Sequence, residues 1–276
     1  MAGSRLSDSI KSLINDSVKV LLMRCIYPLR KSGLLFLGLL AGFCSAALGL
    51  GGGALMVPAL VLFFCYPMKK AIGTSLATIV PTAFVGIVSH YIIQSTNIKW
   101  KIALFVVIGS VFGAKFGAVL AKKIHSKVLK KIFALLVVFT GLKMTNILKI
   151  PTQAITTITA YPLLVVLGLF AGSGSALLGI GGGVILVPVL NLFFGLNIHE
   201  AIATSLTVIL PTTFAGAMFH RKFDNIDVKA LKFLIPTSLI GAVLGAIFAN
   251  SLPSATLKMI FGIYLFIAAV LMFLKK

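Results

Sequence analysis

Two halves of this sequence carry the same motifs in the same order. The glycine run LGLGGG at 48–53 returns as LGIGGG at 178–183. Each run is followed by a Val-Pro pair, a Thr-Ser-Leu triplet and a Pro-Thr pair. This duplication predicts two copies of one structural unit that pack against each other. When apolar repeats are interrupted by glycine or proline at corresponding places, the pattern points to a transporter whose site lies between the repeats.

The composition places the repeats in a membrane. Hydrophobic residues make up 59% of the chain and charged residues only 11%, far from a typical soluble domain. The apolar residues form long runs, several of which reach the ~17–25 residues of a membrane-spanning helix. These runs are 33–66, 71–93, 102–121, 132–148, 162–196, 201–219, 233–249 and 259–274. The chain is therefore predicted to be a polytopic membrane protein with the lipid bilayer as its surroundings.

The net charge of +20 has two explanations, nucleic-acid binding or membrane topology. The basic residues flank the apolar runs, so we interpret them as topology determinants and predict no nucleic-acid partner. The acidic residues all lie outside the apolar runs, which argues against a carboxylate proton relay. They are Asp8, Asp16, Glu200, Asp224 and Asp227. Cys25, Cys44 and Cys65 are not spaced as a disulfide or zinc set, and we predict no metal, cofactor or catalytic residue.

The basic loops indicate how the two halves are oriented. The richest loops, 122–131 and 221–232, do not correspond in the repeat: their counterparts 250–258 and 94–101 contain few lysines. Positively charged loops remain in the cytoplasm, so corresponding loops lie on opposite sides and the halves are inverted. Each half then crosses the membrane an odd number of times. The three apolar runs after each glycine run supply three crossings, so the stretches 33–66 and 162–196 must each return to the side from which they start.

The predicted fold is an all-α membrane protein of two inverted repeats. Each repeat has a broken re-entrant helical hairpin, interrupted at the glycine run, and three spanning helices, giving about eight segments. Both termini are predicted to be cytoplasmic. The divisions are an interfacial amphipathic N-terminal segment at 1–32, a first repeat at 33–149, a linker at 150–161 and a second repeat at 162–276.

The glycine runs are the first candidate binding elements. A nucleotide-binding fingerprint would need a strand and a distant acidic residue, and neither is indicated. Consecutive glycines unwind a membrane helix and free amides at the positive end of the helix that follows, which suits an anion. Close helix packing alone is the alternative explanation. The candidate residues are Gly49, Gly51, Gly52, Gly53, Gly179, Gly181, Gly182 and Gly183.

Hydroxyl side chains follow each glycine run. Such groups can donate to an anion, but they can also bond back to their own helix. The candidates are Thr74, Ser75, Thr82, Thr204, Ser205 and Thr212. The prolines lack a backbone N–H group and are predicted helix breaks. They are Pro58, Pro81, Pro188 and Pro211.

Other repeated residues have a structural and a functional interpretation. His90 and His220 end equivalent helices and are either interface anchors or proton-coupling groups. Gly113 with Gly117, and Gly241 with Gly245, form small-xxx-small pairs that predict helix packing. Lys115 is interpreted as reaching the membrane interface, and a contact to an anion is the alternative.

At these motifs the chain resembles the TauE/SafE family of membrane permeases. The match rests on the glycine runs, on Val57-Pro58 and Val187-Pro188, and on AIGTSL at 71–76 with AIATSL at 201–206. It extends from Gly33 to Lys276. The resemblance implies a multi-pass protein of the bacterial cytoplasmic membrane that moves sulfite, sulfonates or related organosulfur anions. The second half departs at Ala203, where the first half has Gly73, so the half-sites are not identical.

The sequence therefore predicts a secondary transporter that moves a small anion by alternating access. A membrane enzyme would need a nucleophile, base or metal set within the apolar runs, and the sequence offers none. A non-transporting scaffold or assembly factor and an anion channel are the alternatives that the sequence leaves open.

Overall fold

The computed structural model of this protein describes residues 31–94, 98–120 and 160–274. Within these ranges the chain forms helices and no strand. We number the helices in chain order. They are α1 (Lys31–Leu48), α2 (Gly53–Leu62), α3 (Met68–Gln94), α4 (Trp100–Leu120), α5 (Ala160–Leu178), α6 (Gly183–Leu192), α7 (Ile198–Lys222), α8 (Val228–Ser251) and α9 (Ser254–Leu274).

Six of the described helices are long and apolar enough to cross a membrane: α1, α3, α4, α5, α7 and α8. The short helices α2 and α6 follow the glycine runs, so each predicted hairpin consists of one long and one short helix. All-helical architecture is thus confirmed, whereas the predicted number of eight segments is not. Residues 1–30 of the predicted N-terminal segment, the predicted spanning run 132–148 and residues 150–159 of the predicted linker lie outside the described residues.

Large apolar side chains are exposed on the described helices, and the mainly apolar interior also contains polar side chains. Phe36, Phe84, Phe116 and Phe170 are exposed, whereas many serine and threonine side chains are buried. A protein in water would gain free energy from burying these aromatic rings. An apolar exterior is what a lipid environment favours, since polar groups in lipid must find partners within the protein.

Glycine breaks the helices at one place in each copy. Gly49, Gly51 and Gly52 have φ angles of 66°, 78° and 72°, and Gly179, Gly181 and Gly182 have 69°, 85° and 82°. This left-handed backbone costs other residues roughly 1–2 kcal/mol each. The glycine pattern therefore ends α1 and α5 and allows α2 and α6 to begin in a new direction.

The predicted helix breaks at proline are wrong. Pro58, Pro81, Pro188 and Pro211 lie inside α2, α3, α6 and α7, and each helix continues past its proline. Each proline removes one backbone N–H group, so the carbonyl four residues earlier loses its helical donor. Thr82 Oγ1 donates to Thr78 O at 2.8 Å, and Thr212 Oγ1 donates to Val208 O at 2.7 Å, which adds a side-chain bond to the turn beside the proline.

Small residues bring the helix backbones close together. A side chain at Gly113 would clash with Leu169 O, and one at Gly117 with Ser173 O, so these glycines pack α4 against α5. Gly241 and Gly245 pack α8 against α1 in the same way. The packing role predicted for both small-xxx-small pairs is confirmed. Lys115 is exposed on α4.

Replacing Gly181 with alanine should lower the free energy of unfolding by roughly 1–2 kcal/mol, because φ at this position is 85°. The midpoint of thermal unfolding in detergent measures the effect. Gly216→Ala is the matched control, since its new Cβ would meet only the flexible side chain of Leu76 within 4 Å. Equal losses in the two variants would contradict the conformational argument.

Candidate functional site

The two glycine breaks lie against each other at the centre of the candidate site. A Cβ added at Gly51 would be 3.4 Å from Gly181 Cα, and one added at Gly181 would be 3.4 Å from Gly51 Cα. Side chains at Gly53 and Gly183 would clash with the carbonyls of Gly179 and Gly49. The contacts are reciprocal, so each copy makes to the other the contact that it receives. All the glycines predicted for the site are thus brought together or lie directly beside the meeting point.

Two serine hydroxyls join the breaks. Ser75 Oγ donates to Gly179 O at 3.0 Å, and Ser205 Oγ donates to Gly49 O at 3.0 Å. Both serines are fully buried. Each hydroxyl therefore satisfies a carbonyl that the unwound backbone of the opposite copy leaves without a helical partner. The structure places these predicted residues at the breaks, and their contact with a substrate stays a prediction.

Thr74 and Thr204 hold the beginnings of other helices. Thr74 Oγ1 accepts from Asp227 N at 3.0 Å, and Thr204 Oγ1 accepts from Lys99 N at 3.3 Å. Both threonines are fully buried. Asp227 precedes α8 and Lys99 precedes α4, so each threonine fixes a helix of the opposite copy. These two hydroxyls therefore join the copies one residue away from Ser75 and Ser205, which bond to the breaks.

Thr82 and Thr212 lie in pairs with serines of the other copy. The Thr82 and Ser238 hydroxyl oxygens are 2.8 Å apart, and those of Thr212 and Ser110 are 2.6 Å apart. Each of the four hydroxyls also bonds to a carbonyl of its own helix, so either oxygen of a pair can be the donor to the other. Thr82 and Thr212 therefore follow the predicted alternative, in which hydroxyls bond back to their own helix.

The histidines are buried and connect neighbouring helices. His90 Nε2 is 2.8 Å from Ala46 O, and His220 Nε2 is 3.3 Å from Ala176 O. His90 Nδ1 also lies 3.3 Å from Asn250 Oδ1. These contacts link α3 to α1, and α7 to α5. Proton coupling through either histidine stays a prediction.

The N-termini of α2 and α6 have no side-chain cap. Gly52 and Gly182 occupy the N-cap positions, and neither helix receives a capping bond from a side chain there. By contrast, Asn197 and Glu200 form a capping box at α7, and the Asp227 carboxylate caps α8. A helix N-terminus carries a partial positive charge and free amides. Two such ends thus begin at the buried place where the breaks meet.

Two serines near this place were missed at the level of sequence. Ser45 and Ser175 are 0% and 1% exposed, and neither hydroxyl has a hydrogen-bond partner among the described residues. Most buried polar groups have such a partner. Their equivalent positions just before each glycine run were the signal that could have found them.

Charged groups join the copies at both ends of α3. At one end, Lys99 Nζ lies 3.0 Å from Glu200 Oε1. At the other end, the Tyr66 hydroxyl donates to Asp227 Oδ2 at 2.8 Å. Lys70 and Asp227 correspond to Glu200 and Lys99 in the repeat, so the signs of the charges are reversed between the two ends.

The Asp227 carboxylate is held in its charged form. Burial pushes the pKa of this carboxyl group upward, but hydrogen bonds from Tyr66 and from the Ala230 and Lys229 amides, together with the Lys70 charge, leave the pKa below the ordinary aspartate value. A lowered pKa in the folded state stabilises the fold at neutral pH. That contribution is lost as the pH falls through the lowered pKa.

The equivalent positions Gly73 and Ala203 hold different residues in the two copies. A Cβ at Gly73 would clash with Asn225 O, whereas the equivalent Ala203 carries a Cβ and is buried. Close approach of the Asn225 backbone therefore requires glycine in the first copy. This is a packing reason for the difference that the sequence shows.

Comparison with known proteins gives matches over most of the chain. The family model described as sulfite exporter TauE/SafE matches residues 19–144 and 164–276, beginning before the motif resemblance at Gly33. A probable membrane transporter protein of Haemophilus influenzae is 33% identical over 87% of this chain and 97% of its own length. Another of Bacillus subtilis, YdhB, is 32% identical over 80% of this chain and 90% of its own length. No solved structure matches the chain.

Replacing Ser205 with alanine should lower the free energy of unfolding by about 1–3 kcal/mol, because Gly49 O would lose its buried donor. Ser75→Ala should have a similar effect through Gly179 O. Thermal unfolding in detergent measures both. Ser251→Ala is the control, since that exposed serine donates to Phe248 O of its own helix. A loss no larger than in the control would show that the bonds between the breaks contribute nothing.

Proposed function

The chain belongs to the sulfite exporter TauE/SafE family of membrane transporters, and we propose that it is a secondary transporter for a small anion. The proposed substrates are sulfite, a sulfonate or a related organosulfur anion, moved across the bacterial cytoplasmic membrane. The observation that carries the proposal is the meeting of two helix N-termini without side-chain caps at a buried pair of glycine breaks.

The electrostatics of this place support an anion. The partial positive charges at the starts of α2 and α6 favour a negative ligand, and backbone amides can donate to its oxygens. The acidic residues of the chain all lie outside the apolar runs. The Asp227 carboxylate, whose backbone amide contacts Thr74, accepts hydrogen bonds from Tyr66 and from the Lys229 and Ala230 amides. The proposed site consists of the glycines of both breaks with Thr74, Ser75, Thr204 and Ser205 around them.

The reciprocal contacts support two inverted repeats. Pairs such as Ser75 with Gly179 O and Ser205 with Gly49 O are what a two-fold relation between the copies produces. The charge of the loops supports an axis in the membrane plane, with both termini in the cytoplasm. In such a protein, rocking of one repeat against the other exposes the central site to each side in turn.

Two polar bridges between the copies could act as the gates for this motion. Lys70 lies in the first turn of α3, which is 27 residues long, and Lys99 lies beyond its C-terminal end, just before α4. The bridge from Lys99 to Glu200 joins the copies at one end, and the bridge from Tyr66 to Asp227 joins them at the other. We propose that one bridge opens while the other stays closed.

Transport of sulfite by the purified protein in liposomes tests the proposed function. We expect saturable flux that sulfonates inhibit more strongly than chloride does. Flux that does not saturate would favour an anion channel. Absence of flux for every anion in the panel, with protein shown to be folded, would overturn transport in favour of a scaffold.

Replacing Lys99 with glutamate should change the sulfite flux by up to about fivefold, because an exposed ion pair contributes up to about 1 kcal/mol to the balance between two states. Lys99→Arg should keep the bridge and the flux. Lys101→Glu is the charge-matched control, since Lys101 is exposed near the same end. An equal change in Lys101→Glu would show that local charge, and not the bridge, sets the rate.

A further inference from the structure

Two buried hydroxyls stand apart from the others in this protein. The hydroxyls of Ser75, Ser205, Thr82 and Thr212 all have hydrogen-bond partners. Ser45 and Ser175 are equally buried, and their hydroxyls have no partner in the described part of the chain. An unsatisfied buried polar group is unfavourable for the fold, so its presence needs an explanation. Both copies keep one at the same position.

The position of Ser45 is beside the start of α2. Ser45 Cβ would be 3.4 Å from a Cβ added at Gly52, the N-cap residue that has no side chain of its own. The first amides of α2 begin at this residue. Hydrogen bonding within the helix starts only later, where the Leu55 and Met56 amides donate to Gly52 O. The Ser45 side chain, whose hydroxyl has no partner among the described residues, therefore packs against the residue that precedes the first amides of α2.

The equivalent Ser175 lies just before the second break. Its carbonyl accepts from Gly179 N at 2.8 Å, which places the serine in the last turn of α5. α6 then begins at Gly183, after the N-cap Gly182, again without a side-chain cap. The second unpartnered hydroxyl thus lies three residues before its glycine run, the position in the sequence that Ser45 holds before the first.

We propose that Ser45 and Ser175 are substrate-binding residues that select an oxyanion. This inference rests on the proposed function. Each hydroxyl donates to an oxygen of the anion while amides at the start of the following short helix donate to other oxygens. A site built from several directed donors favours a ligand with several acceptor atoms over a halide, because a halide leaves buried donors unpaired.

A purely structural role makes a different prediction. If the hydroxyls stabilised the fold, their removal would lower the unfolding temperature, as expected for Ser75 and Ser205. With no partner in the fold, removal of the Ser45 or Ser175 hydroxyl leaves the unfolding temperature unchanged or raises it. In the proposed role, the same removal weakens the binding of sulfite. The unfolding temperature and the affinity for sulfite therefore change independently of each other.

The test measures KM for sulfite in liposomes, inhibition by chloride, and the thermal unfolding of each purified variant. Ser45→Ala and Ser175→Ala should each raise KM about tenfold, the loss of one hydrogen bond to a charged group, with unfolding temperature unchanged or higher. Ser45→Cys should also raise KM, because it keeps the side-chain size but is a weak donor. Ser251→Ala is the control and should change neither quantity.

Three outcomes would overturn the inference in distinguishable ways. An unchanged KM and unchanged preference for sulfite over chloride in the double alanine variant would show that the serines do not bind substrate. A lower unfolding temperature with unchanged KM would assign them to the fold. If the unmodified protein shows no saturable sulfite flux, the proposed function itself fails.

Discussion

The contact of one glycine break with the other is the constraint on which the rest of this structure depends. Gly51 and Gly181 pack backbone to backbone, and the carbonyls of Gly49 and Gly179 occupy space that side chains at Gly183 and Gly53 would need. The short helices begin only because this contact is possible. Left-handed φ angles turn the chain, and missing side chains let the two turns touch. Both requirements act on the same short run of residues, which explains why glycine is so dense there.

Some of the polar groups around this contact have hydrogen-bond partners, and others have no side-chain partner. In an apolar environment each backbone group released by a break needs a partner inside the protein. The hydroxyls of Ser75 and Ser205 satisfy the glycine carbonyls across the interface. The amides at the starts of α2 and α6 receive no side-chain cap, and Ser45 and Ser175 keep free hydroxyls near them. The Gly49 and Gly179 carbonyls thus have donors, whereas the starts of the two short helices have no side-chain partner, and this imbalance favours an anion.

Much of the architecture could be predicted from the sequence because repetition and hydrophobicity are carried by many residues. The duplicated motifs located the breaks and the helices that follow them, and the small-xxx-small pairs identified helix interfaces. The prolines were misjudged, because the loss of one backbone N–H group does not by itself end a helix, and all four prolines lie inside one. Which acceptor a buried hydroxyl reaches depends on the opposite copy. Sequence could therefore place Ser75 at the break, but it could not show that Ser75 bonds to Gly179 O or that the Ser45 hydroxyl has no partner in the described part of the chain.

A structure of the protein with selenite, a heavier analogue of sulfite, would test the central claim most directly. The anomalous signal of selenium locates the anion without ambiguity. We expect one selenite anion between the glycine breaks, with the oxygens of the anion within hydrogen-bond distance of the Gly53 or Gly183 amide. Selenium bound only at the basic loops, with the breaks still in direct contact under saturating anion, would contradict it.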